Sequence, residues 1–232
     1  MPDAMKGELA KAQQVPGKEL SRKDRILDAA EMLFAAHGFE AVTMRKIAAS
    51  ADVDVALASY HFGSKRGLFD AVLLRRAEVL NTERLDALAA YQKSASSRGD
   101  ENGPSVEEII DAYLRPLLVR RTSSVEEAGW RHYYALIARI NNSPQWGGEV
   151  MTRYFDPLAH SFVDALKNAL PDTSEADLYW GYHILSGALT LTFAQTGRID
   201  NLSDGLCRSE DMEAAYERMV PFMAAGLRRL GQ

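Results

Sequence analysis

Five side chains able to bind phosphate lie between positions 43 and 65 of the 232-residue chain. Thr43 stands at the start of a helical segment, where free backbone amides and the positive end of the helix dipole attract an anion. Arg45 follows in the first turn of that segment, and Lys65 lies in the first turn of a later one. Tyr60 and His61 end the segment between them and can donate hydrogen bonds to a nucleic-acid backbone. This spacing predicts a phosphate-binding surface.

The residues between these donors have the pattern of a helix-turn-helix. A short helix capped by Thr43 and a second one capped by Asp54 are separated by a three-residue turn, where Asp52 tolerates the left-handed backbone expected there. The second helix carries small outward side chains, so it could enter a major groove closely. The positions expected to face base edges are Val55, Ala56, Leu57 and Ser59, and Lys23 is a further expected phosphate contact.

Several short motifs occur in a fixed order within residues 21–69. They are RILDAA at 25–30, Leu33-Phe34, HGF at 37–39, Thr43, Ile47-Ala48 and YHFGSK at 60–65. In this order and spacing they closely resemble the DNA-binding domain of TetR-family transcriptional repressors, although Asp52 replaces the glycine that is usual in the turn. The resemblance implies repression of transcription. It also implies that the phosphate-contacting positions are Thr43, Arg45, Tyr60, His61 and Lys65.

A second resemblance lies in the C-terminal part of the chain. Residues 182–188 (YHILSGA) and 219–226 (MVPFMAAG) are similar to the fatty-acid-responsive PsrA branch of the same family. This similarity implies a long acyl chain, free or as a thioester, as the effector. Planar aromatic compounds and drug-like cations stay open as alternative ligand classes.

All periodic segments have a helical period, which predicts an all-α protein of about nine helices and no sheet. Residues 1–20 are predicted to be a disordered tail, residues 21–66 a three-helix DNA-binding domain, and residues 67–232 a helical effector-binding and dimerisation domain. Small polar residues predict a loop at 94–103. Further helices are expected at about 105–121, 125–141, 145–169, 174–196 and 209–230.

Aromatic side chains recur at helical spacing in the middle helices of the C-terminal domain. They predict an apolar pocket for a small-molecule effector, with Arg131 or Arg139 binding an anionic head group. The same stripe would also be expected of an ordinary helical core. The predicted wall residues are Trp130, Tyr133, Tyr134, Tyr154, Phe155 and Phe162.

A single helix-turn-helix contacts only half of a symmetric DNA site, so we expect a homodimer on a palindromic operator. The segment 174–196 is apolar on two faces, of which one could pack in its own core while the other meets a second subunit. Burial of both faces in a monomer is the alternative. The predicted interface lies on helices 174–196 and 209–230 and uses Tyr182, Gly187, Leu191, Met219, Met223 and Leu227.

The charge of the chain is unevenly distributed. The first 76 residues carry 12 Lys+Arg and 10 Asp+Glu, whereas the remainder carries 15 and 22. A polyanion is therefore expected to bind at the N-terminal end.

Cysteine usage and hydropathy indicate which cellular compartment to expect for the protein. Cys207 is the only cysteine, which excludes a disulfide scaffold and a cysteine-built zinc site and fits a reducing cytoplasm. The apolar run near 185–194 is too short to cross a membrane, which takes about 20 residues. No secretory signal is expected either.

Catalytic motifs are not evident in the sequence. The five histidines are scattered, without a His-x-x-x-His pair, and a Gly-rich phosphate loop and a nucleophile motif are missing. We therefore expect no enzyme activity, no cofactor and no metal site. A helical adaptor or scaffold without DNA binding would explain the acidic body but not the segment 43–65. The sequence predicts a DNA-binding transcriptional regulator, a repressor that an apolar effector releases from its operator.

Overall fold

The computed structural model describes residues 20–118, 124–144 and 146–231. In these ranges the chain forms ten α-helices and no β-strand, which confirms the all-α prediction. Nearly all of the predicted tail, residues 1–19, lies outside the described residues. None of the described helices has the length and apolar content needed to cross a membrane. The helices are α1 Arg22–Ala41, α2 Met44–Ser50, α3 Val55–Phe62, α4 Lys65–Arg98, α5 Val106–Leu114, α6 Ser124–Asn141, α7 Gly147–Ala169, α8 Glu175–Phe193, α9 Arg198–Leu202 and α10 Met212–Leu230.

Short polar side chains start each of the first four helices. Ser21, Thr43, Asp54 and Ser64 each accept a hydrogen bond from a backbone N–H of the first turn. Each such cap stabilises its helix by about 1 kcal/mol. In the turn between α2 and α3, Asp52 has φ +52°, the left-handed conformation expected from the sequence. The predicted helix-turn-helix is therefore α2, this turn and α3.

A continuous apolar core joins helices α1–α3 to α4. Ile26, Phe34 and Ile47 are fully buried, and Ala58 is the buried residue of α3. The ring of Phe34 meets that of Phe69 edge-on, with 5.2 Å between their centroids. The first turns of α4 contribute five buried apolar residues to this core: Leu68, Phe69, Val72, Ala77 and Leu80.

The predicted loop at 94–103 is wrong for its first half, because α4 continues to Arg98. Ser96 and Ser97 donate their hydroxyl hydrogens to backbone carbonyls one turn earlier, so these polar residues satisfy their hydrogen bonds on the helix itself. The helix ends at Gly99, whose φ of +80° is the left-handed conformation typical of a helix C-terminus.

The helices after α4 form the C-terminal body, and two of their predicted bounds need correction. The helix expected at 105–121 ends at Leu114, and Pro116 follows in a short 3₁₀ turn because proline lacks the N–H that an α-helix needs. The last predicted residues of that helix, 119–121, lie outside the described residues. A break was expected at 197–209, yet Arg198–Leu202 form α9. This five-residue helix buries no residue, so it leaves no apolar period in the sequence.

A buried carboxylate joins α4, α5 and α10. Asp111 accepts two hydrogen bonds at 2.7 and 2.9 Å from Arg115, one at 2.7 Å from the hydroxyl of Tyr91, and one from the hydroxyl of Tyr216. Burial raises the pKa of Asp111, but the hydrogen bonds from Arg115, Tyr216 and Tyr91 outweigh it and hold the pKa below its ordinary value. This carboxylate therefore fixes α10 against the body in its charged form.

Replacing Asp111 with Asn should lower the free energy of unfolding by about 2 kcal/mol near neutral pH, because the donors lose a charged acceptor. The folded-state pKa is depressed, so the contribution is present above the unfolded-state pKa of about 4 and is lost as the pH falls through the folded-state value. Urea unfolding of the wild type and of Asp111→Asn, from about pH 7 to about pH 3, measures this contribution to the free energy of unfolding. The gap between wild type and Asp111→Asn should narrow in acid, whereas the exposed control Asp100→Asn should stay within about 0.5 kcal/mol of wild type. A gap that does not change with pH would contradict this assignment.

Candidate nucleic-acid interface and its connection to the body

Helix α3 turns one side to the core and leaves the other open. Ala58 is buried, whereas Val55, Ala56 and Ser59 are exposed, as expected of positions that face base edges. Leu57 is half-buried, so less of it is available to a base than the sequence suggested. The base-reading roles of these four residues stay predictions, with Leu57 the weakest candidate.

The end of α3 presents two polar rings to solvent. Tyr60 is 83% exposed, and His61 beside it is also exposed. Their rings meet edge-on, with 5.4 Å between the centroids. A tyrosine ring this exposed contributes little to the core, so its hydroxyl is free to reach a phosphate, as the sequence predicts.

The start of α2 is also open. Thr43 is exposed, and its hydroxyl oxygen accepts the N–H of Lys46 while its own hydrogen can still be donated. Arg45 in the first turn of α2 and Lys23 in the first turn of α1 are exposed as well. All three predicted phosphate contacts are therefore accessible.

Lys65 is not the free surface cation that the sequence suggested. Its ammonium donates to the backbone carbonyls of Phe39 at 3.0 Å and Val42 at 3.1 Å, and it lies 4.1 Å from the centroid of the Phe39 ring. These bonds fasten the start of α4 to the segment between α1 and α2. Because Val42 directly precedes Thr43, the ammonium lies beside the cap of α2. One of its three N–H donors is left for a phosphate.

A buried ion cluster joins α1 to α4. Glu31 of α1 is 1% exposed, and its carboxylate accepts hydrogen bonds from Arg76 at 2.6 and 2.9 Å and from Arg75 at 2.8 Å. Arg75 also donates to Asp28 at 2.7 Å. The guanidinium of Arg76 lies 4.8 Å from the ring centroid of Trp130 in α6. This Glu31 cluster (Glu31, Arg75 and Arg76) connects the DNA-binding helices to the body.

Two family models match the chain. Residues 26–72 match the model for bacterial regulatory proteins of the tetR family, and residues 111–226 match the tetracyclin repressor-like C-terminal domain. The chain belongs to the TetR family. It is therefore a transcriptional regulator with an N-terminal DNA-binding domain and a C-terminal helical domain.

Individual members of the TetR family match shorter stretches of sequence. The chain is 48% identical over 52 residues to the probable HTH-type transcriptional regulator YttP of Bacillus subtilis, which covers 22% of this chain and 25% of YttP. It is 39% identical over 82 residues to the HTH-type transcriptional regulator BetI of Rhizobium meliloti, covering 35% of this chain and 39% of BetI. The matched stretches thus span between a quarter and two fifths of these curated relatives.

A solved structure extends the likeness to the whole fold. The crystal structure of a TetR-like transcriptional regulator from Rhodococcus sp. RHA1 matches with a TM-score of 0.58 over 89% of this chain and 95% of that one. The sequence identity is 22%, so this match supports the TetR fold alone.

In this TetR-family chain the Glu31 cluster depends on a glycine. A Cβ at Gly129 of α6 would lie 2.0 Å from Nη2 of Arg76, so a larger residue there would require the guanidinium to shift from its present position beside Glu31. Sequence reasoning missed the cluster. The available signal was Glu31 itself, which falls on the inward stripe of α1 with Leu27 and Phe34, since a charge at an inward position needs a buried partner.

The predicted effector walls pack as a core. Trp130, Tyr133, Tyr134, Phe155 and Phe162 are all buried, and the rings of Trp130 and Tyr133 meet edge-on at 5.6 Å. The cavity beside Trp130 and Tyr134 holds about 30 Å³, room for about one water molecule. Most of these residues therefore pack against one another, while Trp130 also lines the larger groove described below.

Tyr154 lies at the edge of this core. It is half-buried, and its backbone carbonyl accepts a hydrogen bond of 2.9 Å from the side-chain amide of Asn81 in α4. Its role as a pocket wall stays a prediction.

The two arginines predicted to bind an anionic head group differ in position, because Arg131 lines the small cavity beside Trp130 and Tyr134 whereas Arg139 does not. Arg131 and Arg139 are exposed, and Arg139 donates to the carbonyl of Ala36 in α1. The prediction is wrong for Arg139, which lies two positions after the inward Ile137 and faces outward because each helical residue turns the chain by about 100°. The role of Arg131 stays a prediction.

A larger groove of about 930 Å³ lies between α1, α4 and α6. It includes Asp28, Arg75, Trp130 and His132 and passes over the Glu31 cluster. The sequence gives no sign of this groove, because its walls come from α1, α4, α6 and the end of α2 with the turn after it.

Four of the predicted dimer-interface residues face the protomer's own core. Met219, Met223 and Leu227 of α10 are buried, and the hydroxyl of Tyr182 in α8 lies 3.0 Å from that of Tyr113. The interface prediction is wrong for these four. Heptad-like spacing shows which residues share a face of a helix, but not whether that face meets its own core or a second subunit.

The opposite face of α8 and α10 is apolar and exposed. Gly187 and Leu191, the other two predicted interface residues, lie on it, with Leu191 67% exposed. The two helices are held side by side at Gly181, where a Cβ would lie 2.3 Å from Cδ2 of Leu227. We call this surface the α8/α10 face, made of Trp180, Ile184, Gly187, Leu191 and Phe222.

Lys65 should act on DNA without reading its sequence. Lys65→Met removes the ammonium but keeps an apolar stem over Phe39, and we expect weaker binding to every DNA sequence, with the salt slope lowered by about 1. Loss of the two carbonyl hydrogen bonds should also lower the free energy of unfolding by about 1–2 kcal/mol. Titration of a preferred and a random duplex at several salt concentrations measures the first effect.

The matched control is Lys93→Met, an exposed lysine near the far end of α4, which should change neither quantity. A change in which base pairs are preferred by Lys65→Met would contradict the assignment of Lys65 to phosphate.

Proposed function

We propose that the chain is a homodimeric repressor that binds a palindromic operator and is released from it by an apolar small molecule. The observation that carries the proposal is the orientation of α3, which buries Ala58 and leaves Val55, Ser59 and Tyr60 open to a DNA groove. A helical adaptor without DNA binding does not require an exposed helix that lies between two accessible phosphate-binding positions, Thr43 and Tyr60.

DNA recognition would combine two kinds of contact. The exposed side of α3 enters the major groove, where Val55 can meet thymine methyl groups and Ser59 can hydrogen-bond to several bases. Thr43, Tyr60 and the remaining donor of Lys65 would bind phosphates on either side and fix the register of the helix on the duplex.

The α8/α10 face supports dimerisation. Several large apolar side chains exposed on two adjacent helices, Trp180, Ile184 and Leu191 on α8 and Phe222 on α10, are typical of an interface. Two copies joined through it would present two α3 helices related by a two-fold axis, and a palindromic operator has the same symmetry.

Release by an effector needs a mechanical connection between the body and α3. The Glu31 cluster supplies it, because Arg76 contacts both Trp130 in the body and Glu31 in the DNA-binding domain. A ligand that prefers a body conformation with Arg76 displaced would shift α1 and thereby the spacing of the α3 helices. A coupling of about 1–3 kcal/mol would weaken operator binding about 5–150-fold. On the C-terminal resemblance, we propose a long acyl compound as the effector class.

Selection of DNA from a random pool by the purified protein tests the proposal. We expect the selected sequences to contain two inverted half-sites, and light scattering to show a dimer. Gly187→Glu should leave the protomer folded, since a Cβ there meets nothing within 4 Å, but should place a charge in the α8/α10 interface. It should be monomeric and bind the selected operator at least about tenfold more weakly.

The matched control is Gly148→Glu, also exposed with nothing within 4 Å of its Cβ, on α7. It should remain dimeric with wild-type affinity. A Gly187→Glu protein that stays dimeric would disprove this interface, and selected DNA without inverted symmetry would disprove the dimeric operator mode.

A further inference from the structure

An arginine is buried inside the body. Arg84 of α4 is 3% exposed. Its Nε donates to the backbone carbonyl of Tyr113 at 2.8 Å, and its guanidinium carbon lies 4.0 Å from the centroid of the Tyr113 ring. Within residues 20–118, 124–144 and 146–231, no carboxylate forms an ion pair with it.

The guanidinium lies over the ring of Tyr113, and its charge acts on the hydroxyls of Tyr133 and Tyr182. Tyr133 is 1% exposed, and its buried hydroxyl has no hydrogen-bond partner among the residues that the structure describes. The hydroxyls of Tyr113 and Tyr182 lie 3.0 Å apart and satisfy each other. Burial raises the pKa of both Tyr133 and Tyr182, while the nearby charge of Arg84 opposes the rise. Both are therefore neutral donors under ordinary conditions.

The balance of donors and acceptors here suits an anion. A guanidinium has five N–H donors, and the described residues offer Arg84 one carbonyl oxygen as an acceptor. An unpaired buried cation is costly, and buried charges in proteins are normally paired or bind a ligand. A buried cation beside an unsatisfied hydroxyl lacks the negative partner that both groups would bind.

We propose that Arg84 binds the carboxylate of an apolar effector, with the hydroxyl of Tyr133 as a second donor. The inference rests on the proposed function and specifies its ligand. Aromatic rings near these donors could contact the apolar part of the ligand. The ring of Phe162 packs edge-on against Tyr113 with 4.9 Å between the centroids, and that of Trp130 packs edge-on against Tyr133 at 5.6 Å. Since these rings now fill the space, the ligand must displace some of them on entry.

The position of Arg84 links ligand entry to the DNA-binding domain. Arg84 lies eight residues after Arg76 on the same helix, about 12 Å along its axis and within a quarter turn of the same face. Displacement of Arg84 toward a carboxylate would therefore move the segment of α4 that holds the Glu31 cluster, and rearrangement around Trp130 would reach Arg76 directly.

The large groove is a poorer site for an anion. Its lining carries five carboxylates and three arginines, and each of those arginines is already within ion-pair distance of one of these carboxylates. An anion entering the groove would meet net negative charge. Arg84 is the buried arginine without such a partner, so charge favours the internal site.

Carboxylates and their neutral counterparts test the proposal on the full-length protein. The probes are dodecanoate with dodecan-1-ol and 2-naphthoate with 2-naphthylmethanol, each titrated calorimetrically. We expect at least one carboxylate to bind, with its alcohol at least about tenfold weaker. Arg84→Met should abolish this preference and Arg84→Lys should keep part of it, whereas the exposed control Arg139→Met should behave as wild type.

Tyr133→Phe is the second variant, and it keeps the proposal testable if Arg84→Met does not fold. It removes a hydroxyl that has no partner, so the protein should remain folded while the carboxylate binds several-fold more weakly. Unchanged carboxylate binding in Arg84→Met, or in Tyr133→Phe where Arg84→Met is unfolded, would overturn the proposal.

Binding of none of the carboxylates by a wild-type protein that still binds its selected operator would also overturn this inference and leave the DNA-binding function standing. Failure of the wild type to bind any DNA would instead overturn the proposed function.

Discussion

The buried carboxylate of Glu31 binds α1 to α4 across the junction between the two halves of the molecule, beside the apolar core that also joins them. It is almost completely removed from solvent and satisfied by Arg75 and Arg76, so losing both partners would leave an uncompensated buried charge at a cost of about 3–5 kcal/mol. Glu31 belongs to the DNA-binding helices and both arginines to α4, which continues into the body. The two arginines therefore help to set the position of α1 on α4, and Trp130 brings the body into contact with Arg76.

Helix α4 carries every connection on which the proposed regulation relies. Its 34 residues span about 51 Å. Along this length Lys65 fastens the start of the helix to the α1–α2 segment, Arg76 binds Glu31, Arg84 lies in the internal polar site, and Tyr91 donates to Asp111. A single rigid element thus reaches the DNA-binding surface, the proposed ligand site and the support of α10. A change at any one of these contacts can act on the others through the helix.

Local chemistry explains which features could be predicted from the sequence. Caps at Thr43 and Asp54 and the left-handed turn at Asp52 depend on neighbouring residues, and they occur as expected. What covers a helix face depends on the rest of the fold, so the inward turn of Met219 and Met223 could not be read from their spacing. The same limit applies to the cation of the effector site. Arg139, close to the aromatic stripe in sequence, points outward, whereas Arg84 comes from a different helix.

Hydrogen–deuterium exchange of two variants, Gly129→Ala and its control Gly148→Ala, tests the role of the Glu31 cluster most directly. In Gly129→Ala the added Cβ would lie 2.0 Å from Nη2 of Arg76 and require it to shift from its present position beside Glu31, whereas the Cβ of the control Gly148→Ala meets nothing within 4 Å. We predict faster exchange of the α1–α3 amides in Gly129→Ala alone, with α8 and α10 as protected as in wild type. Unchanged protection of α1–α3 in Gly129→Ala would contradict the account, because it would show that the DNA-binding helices are held in place without the Glu31 cluster.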